Sequence, residues 1–457
     1  MQVSQVDVVI IGGGISGLSA LHYVRRTKPE LSVRLFEAES RLGGTIGTDN
    51  IDGYSFDWGP NGFLDREPLT LKLCEELGLN DDLERANENV ANRFILRKGK
   101  LRSVPMKPPA FLMSDILSLK GRLRVMGEPF ARSAPDDDES IYDFVQRRIG
   151  REAADYLVQP MVSGVFGGVA DQLSLKSCFP IMREMEQEHG SLFKAMIAKA
   201  RAAKAKGKKS GGPSGPGGWL TSFRGGLNRI VDQFHKRYES NITTGQSVTT
   251  ITKENDCYRI DFQDGHTEQA RTVIIAVPSN QAATLVESLS NGLAGALARI
   301  PYAPISVVCF GYAKENVGRS LDGFGFLVPS KEKRRILGSI WTSSIFDARA
   351  PEGKVQFRSM VGGDGDHASM ELSDDELVRI VRDDLDGIVG LNSDPEVVKL
   401  YRWCHGIPQF KIGHSDILSE IETELEALGN IHVTGNAYYG IGLNDCVKQS
   451  HRVVSKL

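Results

Sequence analysis

The chain has 457 residues, more than one ordinary core holds, so two or three domains are expected. Its 40% hydrophobic and 25% charged residues describe an ordinary globular protein, and a net charge of −3 gives no basic balance for nucleic acid. No apolar run reaches the roughly 18 residues that a transmembrane helix needs. The start, "MQVSQVDVVIIGGG", lacks the charged segment and cleavage site of a secretory signal, so a cytoplasmic location is expected. Six scattered cysteines show no C-x-x-C, and nine histidines no H-E-x-x-H. No disulfide framework or metal site is therefore expected, and redox chemistry would have to come from a bound cofactor.

Residues 6–11, "VDVVII", form a β-branched apolar run that predicts a buried parallel strand. Gly12, Gly13, Gly14, Ile15, Ser16 and Gly17 then fit G-x-G-x-x-G, and a helix follows to about residue 28. Residues 32–38 predict a second strand, with Glu37 at its end. Gly12 allows the tight turn, Gly14 lets the backbone approach a pyrophosphate, and Gly17 lets the helix pack on the strand. The helix N-terminus offers free N–H groups and the positive end of its dipole. Glu37 suits a ribose hydroxyl pair and disfavours a 2′-phosphate. In "AESRLGGTIGT" (38–48), Gly43 and Gly44 allow the chain to fold back over the dinucleotide, and Arg41 can reach phosphate. This arrangement resembles the GG-type flavoproteins, which include amine oxidases, phytoene desaturases and porphyrinogen oxidases.

Further along, "DWGPNGFLDREP" (57–68) predicts a tight turn. Residues 68–88 read as a helix, a glycine stop and a second short helix, and 92–105 as a hairpin turning at Lys98-Gly99. From 106 to 210 the pattern is mostly helical. Residues 194–209 carry seven cations and no acid, and 210–218 are a low-complexity loop. The cationic run reads either as a solvated helix end with a linker or, with apolar "PPAFLM" nearby, as a contact for anionic lipid. A helix is expected within 222–234 after a glycine turn, and 239–278 alternates with period two around an Asp264-Gly265 turn. Residues 300–420 are strand-rich with one clear helix at 373–390. Residues 430–457 read as strand, Gly435-Asn436 turn, glycine-rich loop and final helix.

The segments "GPNGFLDREP", "LRSVPMKPPAFLMSDIL", "SGVFGGVADQLSLKSCFP", "IPYAPISVVCFGY", "GFGFLVPSKEKRRILGS", "RWCHGIPQF" and "GNAYYGIGLNDC" together resemble the oxygen-dependent, FAD-containing protoporphyrinogen oxidases nearly end to end. The resemblance implies an α/β fold: a Rossmann-like FAD-binding domain, a mixed-sheet substrate domain and a helical membrane-associated subdomain. The corresponding divisions are 1–90 with 220–295 and 425–457, then 296–424, then 91–219. It implies FAD as cofactor, hydride transfer from a porphyrinogen to flavin N5, reoxidation by oxygen with release of peroxide, and no catalytic side chain. A homodimer, peripheral on the cytoplasmic face of the inner membrane, is also implied. A related branch oxidises coproporphyrinogen III instead and shares most of these segments.

Carried onto this chain, the flavin contacts would be the residues from Gly12 to Gly17, Glu37, Ala38, Arg41, Gly44, Thr45, Gly59, Pro60, Asn61, Gly62, Val248, Trp403, Gly435, Asn436, Ile441, Gly442 and Leu443. Asn61 also stands where plant and animal members carry an arginine toward a propionate, so Arg93 becomes a candidate to supply that cation. Gly164 would present its backbone to the macrocycle, and Trp341 stands where the family places a ring-stacking aromatic. Core packing is the competing reading for Trp403 and Trp341, and a surface position for Arg93. A flavin amine oxidase or carotenoid desaturase is a further alternative, because Tyr438 and Tyr439 could form an aromatic cage.

Overall fold

A computed structural model describes residues 5–88, 90–105, 108–133, 138–205 and 218–457. Two seven-stranded sheets dominate it. In the first, the order is Ile242–Thr243, Val33–Phe36, Gln5–Ile11, Thr267–Ile275, Cys257–Phe262 and Val248–Glu254, with Ile431–Val433 also paired to Thr267–Ile275. The central strands run parallel and the Cys257–Phe262 hairpin partners antiparallel. Both faces of the parallel strands are buried, as their continuous apolar runs require. Val8 and Ile10 face the helices Ile15–Thr27 and Leu443–Val454, while Val9 and Ile11 face Ser279–Val286 and Asn291–Ala298. This sheet thus draws on residues near both ends of the chain.

The second sheet runs Val397–Pro408, Tyr302–Ala313, Lys354–Gly362, Ile336–Trp341, Gly325–Leu327, Phe94–Arg97 and Lys100–Ser103. Alternation divides its two faces. Val308, Phe310, Phe326, Trp341 and Phe357 pack under helix Asp374–Val389, whose Leu377, Val381 and Leu385 cover them. Ile305, Val307 and Cys309 point the other way, onto Tyr54 and Phe56. That second face therefore meets the segment following the glycine loops.

Helices from Pro108–Met113 to Leu192–Ala205 form a separate layer. A buried ion group ties them together: fully buried Arg148 pairs with fully buried Glu128 and, at 3.1 Å, with Glu186. Glu128 also accepts from the Leu192 and Phe193 N–H groups at 2.8 and 3.2 Å and from Ser191 Oγ at 2.6 Å. Buried charges persist only when paired in this way. No helix among the described residues is long and apolar enough to cross a membrane.

Three expectations meet corrections or limits here. The second short helix in 68–88 is a single 3-10 turn at Asn80–Asp82 followed by strand Leu83–Arg85, because Leu220–Phe223 pairs with it; tertiary pairing overrides local propensity. The 300–420 stretch runs into a second long helix, His414–Leu428, besides the capped Asp374–Val389. The low-complexity loop, apart from Gly218, and residues 206–209 of the cationic run lie outside the described residues.

Candidate active site

Helix Ile15–Thr27 starts at Gly14 with no capping side chain and no acid in its first turn. Its first N–H groups are thus available to an anion. A Cβ at Gly17 would collide with the Gly12 carbonyl, whereas one at Gly14 would meet nothing within 4 Å. The glycines therefore close the packing side and leave the other side open. Helix Leu443–Val454 starts at Gly442 beside the first helix, joined to it by Ser450 Oγ donating to the Ser16 carbonyl at 2.8 Å. Two helix N-termini consequently share one region.

Glu37 buttresses the same loop. Its carboxylate accepts from the Gly13 N–H at 2.6 Å and the Glu39 N–H at 2.9 Å. The N–H groups of Gly245 and Gln246 donate to the Glu39 and Glu37 carbonyls, both at 2.9 Å, which brings the start of strand Val248–Glu254 alongside. Val248 is half-buried there. Ala38 is exposed in the same turn. Gly43 N–H donates to the Gly13 carbonyl at 2.8 Å, so the paired glycines lie against the first loop.

Arg41 is placed differently from a phosphate ligand. Its guanidinium donates to the carbonyls of Leu42, Gly44 and Ile46 at 3.0, 2.6 and 3.2 Å and stacks 4.4 Å over Trp58. Burial lowers its pKa. It shapes the 42–46 loop rather than projecting from it.

The 57–62 turn is fixed from below. Fully buried Asp57 and Arg349 form an ion pair at 3.0 Å. The other Asp57 oxygen accepts from Thr48 Oγ1 at 2.6 Å and the Leu227 N–H at 2.9 Å. Trp403 Nε1 donates to the Trp58 carbonyl at 3.2 Å, and Arg358 donates to the Gly59 carbonyl. A Cβ at Gly59 would run into the Thr45 carbonyl, so Gly59 and Pro60 lie directly on the paired-glycine loop. The buried Asn61 Nδ2 has no partner, and the Gly62 backbone lies against Thr221 and Leu220. The Gly435–Leu443 segment reaches the region from the other end of the chain: Gly435 adopts φ +148°, Gly435, Asn436 and Ile441 are half-buried, and Asn444 donates to the Leu64 carbonyl at 2.8 Å.

These features fit a flavin dinucleotide: an uncapped helix start at Ile15 for phosphate, a second helix start at Leu443 whose Gly442 N–H is held by Asp445 at 3.3 Å, open ground at Gly14, the Glu37 carboxylate in the same loop, and an orphaned amide at Asn61. The sequence profile of the flavin containing amine oxidoreductases matches residues 15–457. The chain belongs to that family. It is an FAD-dependent oxidoreductase. The chain is 31% identical to the coproporphyrinogen III oxidase of Bacillus subtilis (strain 168), covering 98% of this chain and 97% of that one. It is 34% identical to the chloroplastic protoporphyrinogen oxidase of Nicotiana tabacum, covering 99% and 86%. A crystal structure from Exiguobacterium sp. 255-15 superposes with a TM-score of 0.85 at 26% identity, covering 100% and 99%.

Other expected site residues fare unevenly. Trp341 is fully buried between Phe94 and Phe326, at ring-centroid distances of 5.5 and 6.4 Å. This corrects its stacking role: period two puts Trp341 on the helix-covered face and Ile340 on the other. Gly164 is half-buried, and a Cβ there would lie 2.6 Å from Leu327 Cδ2. Arg93 is half-buried 5.2 Å over Phe324, with burial lowering its pKa and no carboxylate pairing with it among the described residues. Phe324 and Leu220 share one apolar cluster, and Leu220 also covers Gly62. Tyr438 is buried in the first core, while Tyr439 donates to Glu422 under Arg452, so the two do not form a cage. Gln356 and Arg358 carry a signal as polar residues inside the largely buried strand Lys354–Gly362, whereas Arg349 closes the 3-10 turn Asp347–Arg349 before it, where no periodicity marks it.

Proposed function

We propose that this oxidoreductase oxidises a porphyrinogen to the porphyrin, with protoporphyrinogen IX as substrate and oxygen as the final acceptor. The observation that carries it is Arg93. A half-buried cation with no carboxylate partner among the described residues sits on the apolar cluster that reaches Gly62. An apolar wall with one desolvated cation suits a macrocycle carrying a few carboxylates. The near end-to-end similarity to porphyrinogen oxidases supports the same reading.

FAD, when bound, would supply the hydride acceptor, with oxygen as the final electron acceptor and hydrogen peroxide as the product. The helix starts at Ile15 and Leu443 would hold its phosphates, and Glu37 with Val248 would flank its adenosine end. Thr45, Gly59 and Pro60 would present backbone to its ring, backed by Trp403. Asn61 would face the ring's edge and the substrate, Arg93 would bind a propionate, and Gly164 would present its backbone to the macrocycle. The methylene-bridge carbon is electron-rich, so it gives up hydride without a strong base; the matching N–H proton goes to solvent. The chain's task is orientation and exclusion of water.

Coproporphyrinogen III is the second reading, because similarity to its oxidase covers 97% of that relative. Peripheral attachment to a cytoplasmic membrane face and assembly as a homodimer belong to the same proposal. The three domain divisions do too; separate expression of residues 91–219 tests them. The deciding measurement is anaerobic bleaching of bound FAD by each porphyrinogen, then kcat/KM on both. Bleaching by an amine and by neither porphyrinogen sinks the reading.

A further inference from the structure

We propose that Arg358 is an uncompensated buried cation that raises the reduction potential of the bound FAD. This rests on the reading that the 57–62 turn lies at the flavin ring. Arg358 projects from strand Lys354–Gly362 on the face that meets the turn, flanked in register by Cys309 and Ile340. It is buried, and its guanidinium donates to the Gly59 carbonyl, while its Nε finds no partner. No carboxylate among the described residues forms an ion pair with it. Asp57, the carboxylate that acts on it, is already paired with Arg349. Burial pushes the Cys309 thiol up to about 12 and raises the Tyr401 hydroxyl further, so both neighbours are neutral near pH 7.

The group holds Asp57, Arg349 and Arg358, and Asp49, which accepts from Tyr401 Oη and Trp58 Nε1, is matched by Lys399 at 3.5 Å, so one positive charge is left over behind the turn. A neutral donor could make the bond to Gly59 without the cost of burying a charge. What the charge adds is an electrostatic effect that a low-dielectric surrounding preserves. Hydride transfer breaks one substrate C–H bond and delivers two electrons and one proton to the flavin. The flavin becomes one unit more negative and the substrate one unit more positive. A fixed cation beside the acceptor favours the reduced state.

The test is the midpoint potential of bound FAD, measured by dye equilibration in wild type, Arg358→Gln and Cys309→Asp, with Cys309→Asn as control. Arg358→Gln keeps a donor for Gly59 and deletes the charge; Cys309→Asp keeps Arg358 and neutralises it across the strand pair. Both should shift the reduced-to-oxidised equilibrium at least tenfold toward oxidised flavin, about 30 mV for a two-electron couple. Cys309→Asn should not. An unchanged potential in either charge variant with FAD bound overturns the proposal. Loss of FAD from both, with thermal stability retained, also overturns it and leaves Arg358 a holding role. A wild-type protein with FAD bound that neither porphyrinogen bleaches instead sinks the reading of the reaction, and does not touch the potential.

Discussion

At the scale of single residues, the turn depends on charges that never reach solvent. Asp57 and Arg349 are both fully buried, so removing one leaves the other stranded. Asp57→Asn should cost about 3–5 kcal/mol of folding stability, read as a lower urea midpoint with an unchanged m-value. A loss under 1 kcal/mol would mean that the pair is not buried as described. Arg93 lies away from this group and stacks on Phe324 without an acid. A charge-assisted bond contributes about 1.5–3 kcal/mol. Arg93→Met should therefore raise the KM for porphyrinogen roughly tenfold or more, with FAD content unchanged. An unaltered KM would return Arg93 to a structural role.

At the scale of elements, the helical layer presents apolar side chains outward. Leu119 and Leu123 on helix Leu119–Met126 are 64% and 61% exposed, and Phe130 just beyond is 90% exposed. Met113 is 87% exposed, and Met196 and Ile197 are also exposed on helix Leu192–Ala205, which carries Lys194, Lys199 and Arg201. Apolar anchors with nearby cations suit an anionic lipid surface. Leu123→Asp with Phe130→Asp should weaken sedimentation with vesicles containing phosphatidylglycerol several-fold and leave FAD bound. Equal sedimentation would remove the membrane reading. The local patterns that carry these elements were legible in sequence wherever one period dominated: the glycine loop, the Lys98-Gly99 and Asp264-Gly265 turns, and the capped helix Asp374–Val389. They failed where a distant strand decided the outcome, as Leu220–Phe223 does for Leu83–Arg85.

At the scale of the whole molecule, the packing of the glycine loops was legible and the faces of the second sheet were not. Backbone requirements leave marks in sequence, because only glycine fits where Gly17 and Gly59 pack. Which face a strand residue occupies is settled by partners far along the chain, and one residue of register separated Trp341 from Ile340. Arg358 was hidden for the same reason, since its meaning depends on meeting Gly59 almost 300 residues away. The topology also sets a schedule. Strand Ile431–Val433 joins the sheet begun by Gln5–Ile11 and helix Leu443–Val454 packs on it, so one wall of the cradle is translated more than 400 residues after the first strand. A ribosome stalled before that point holds a first strand whose cradle lacks its second helix start. A chain cut before Ile431 should therefore fail to retain FAD, read as flavin absorbance lost on gel filtration.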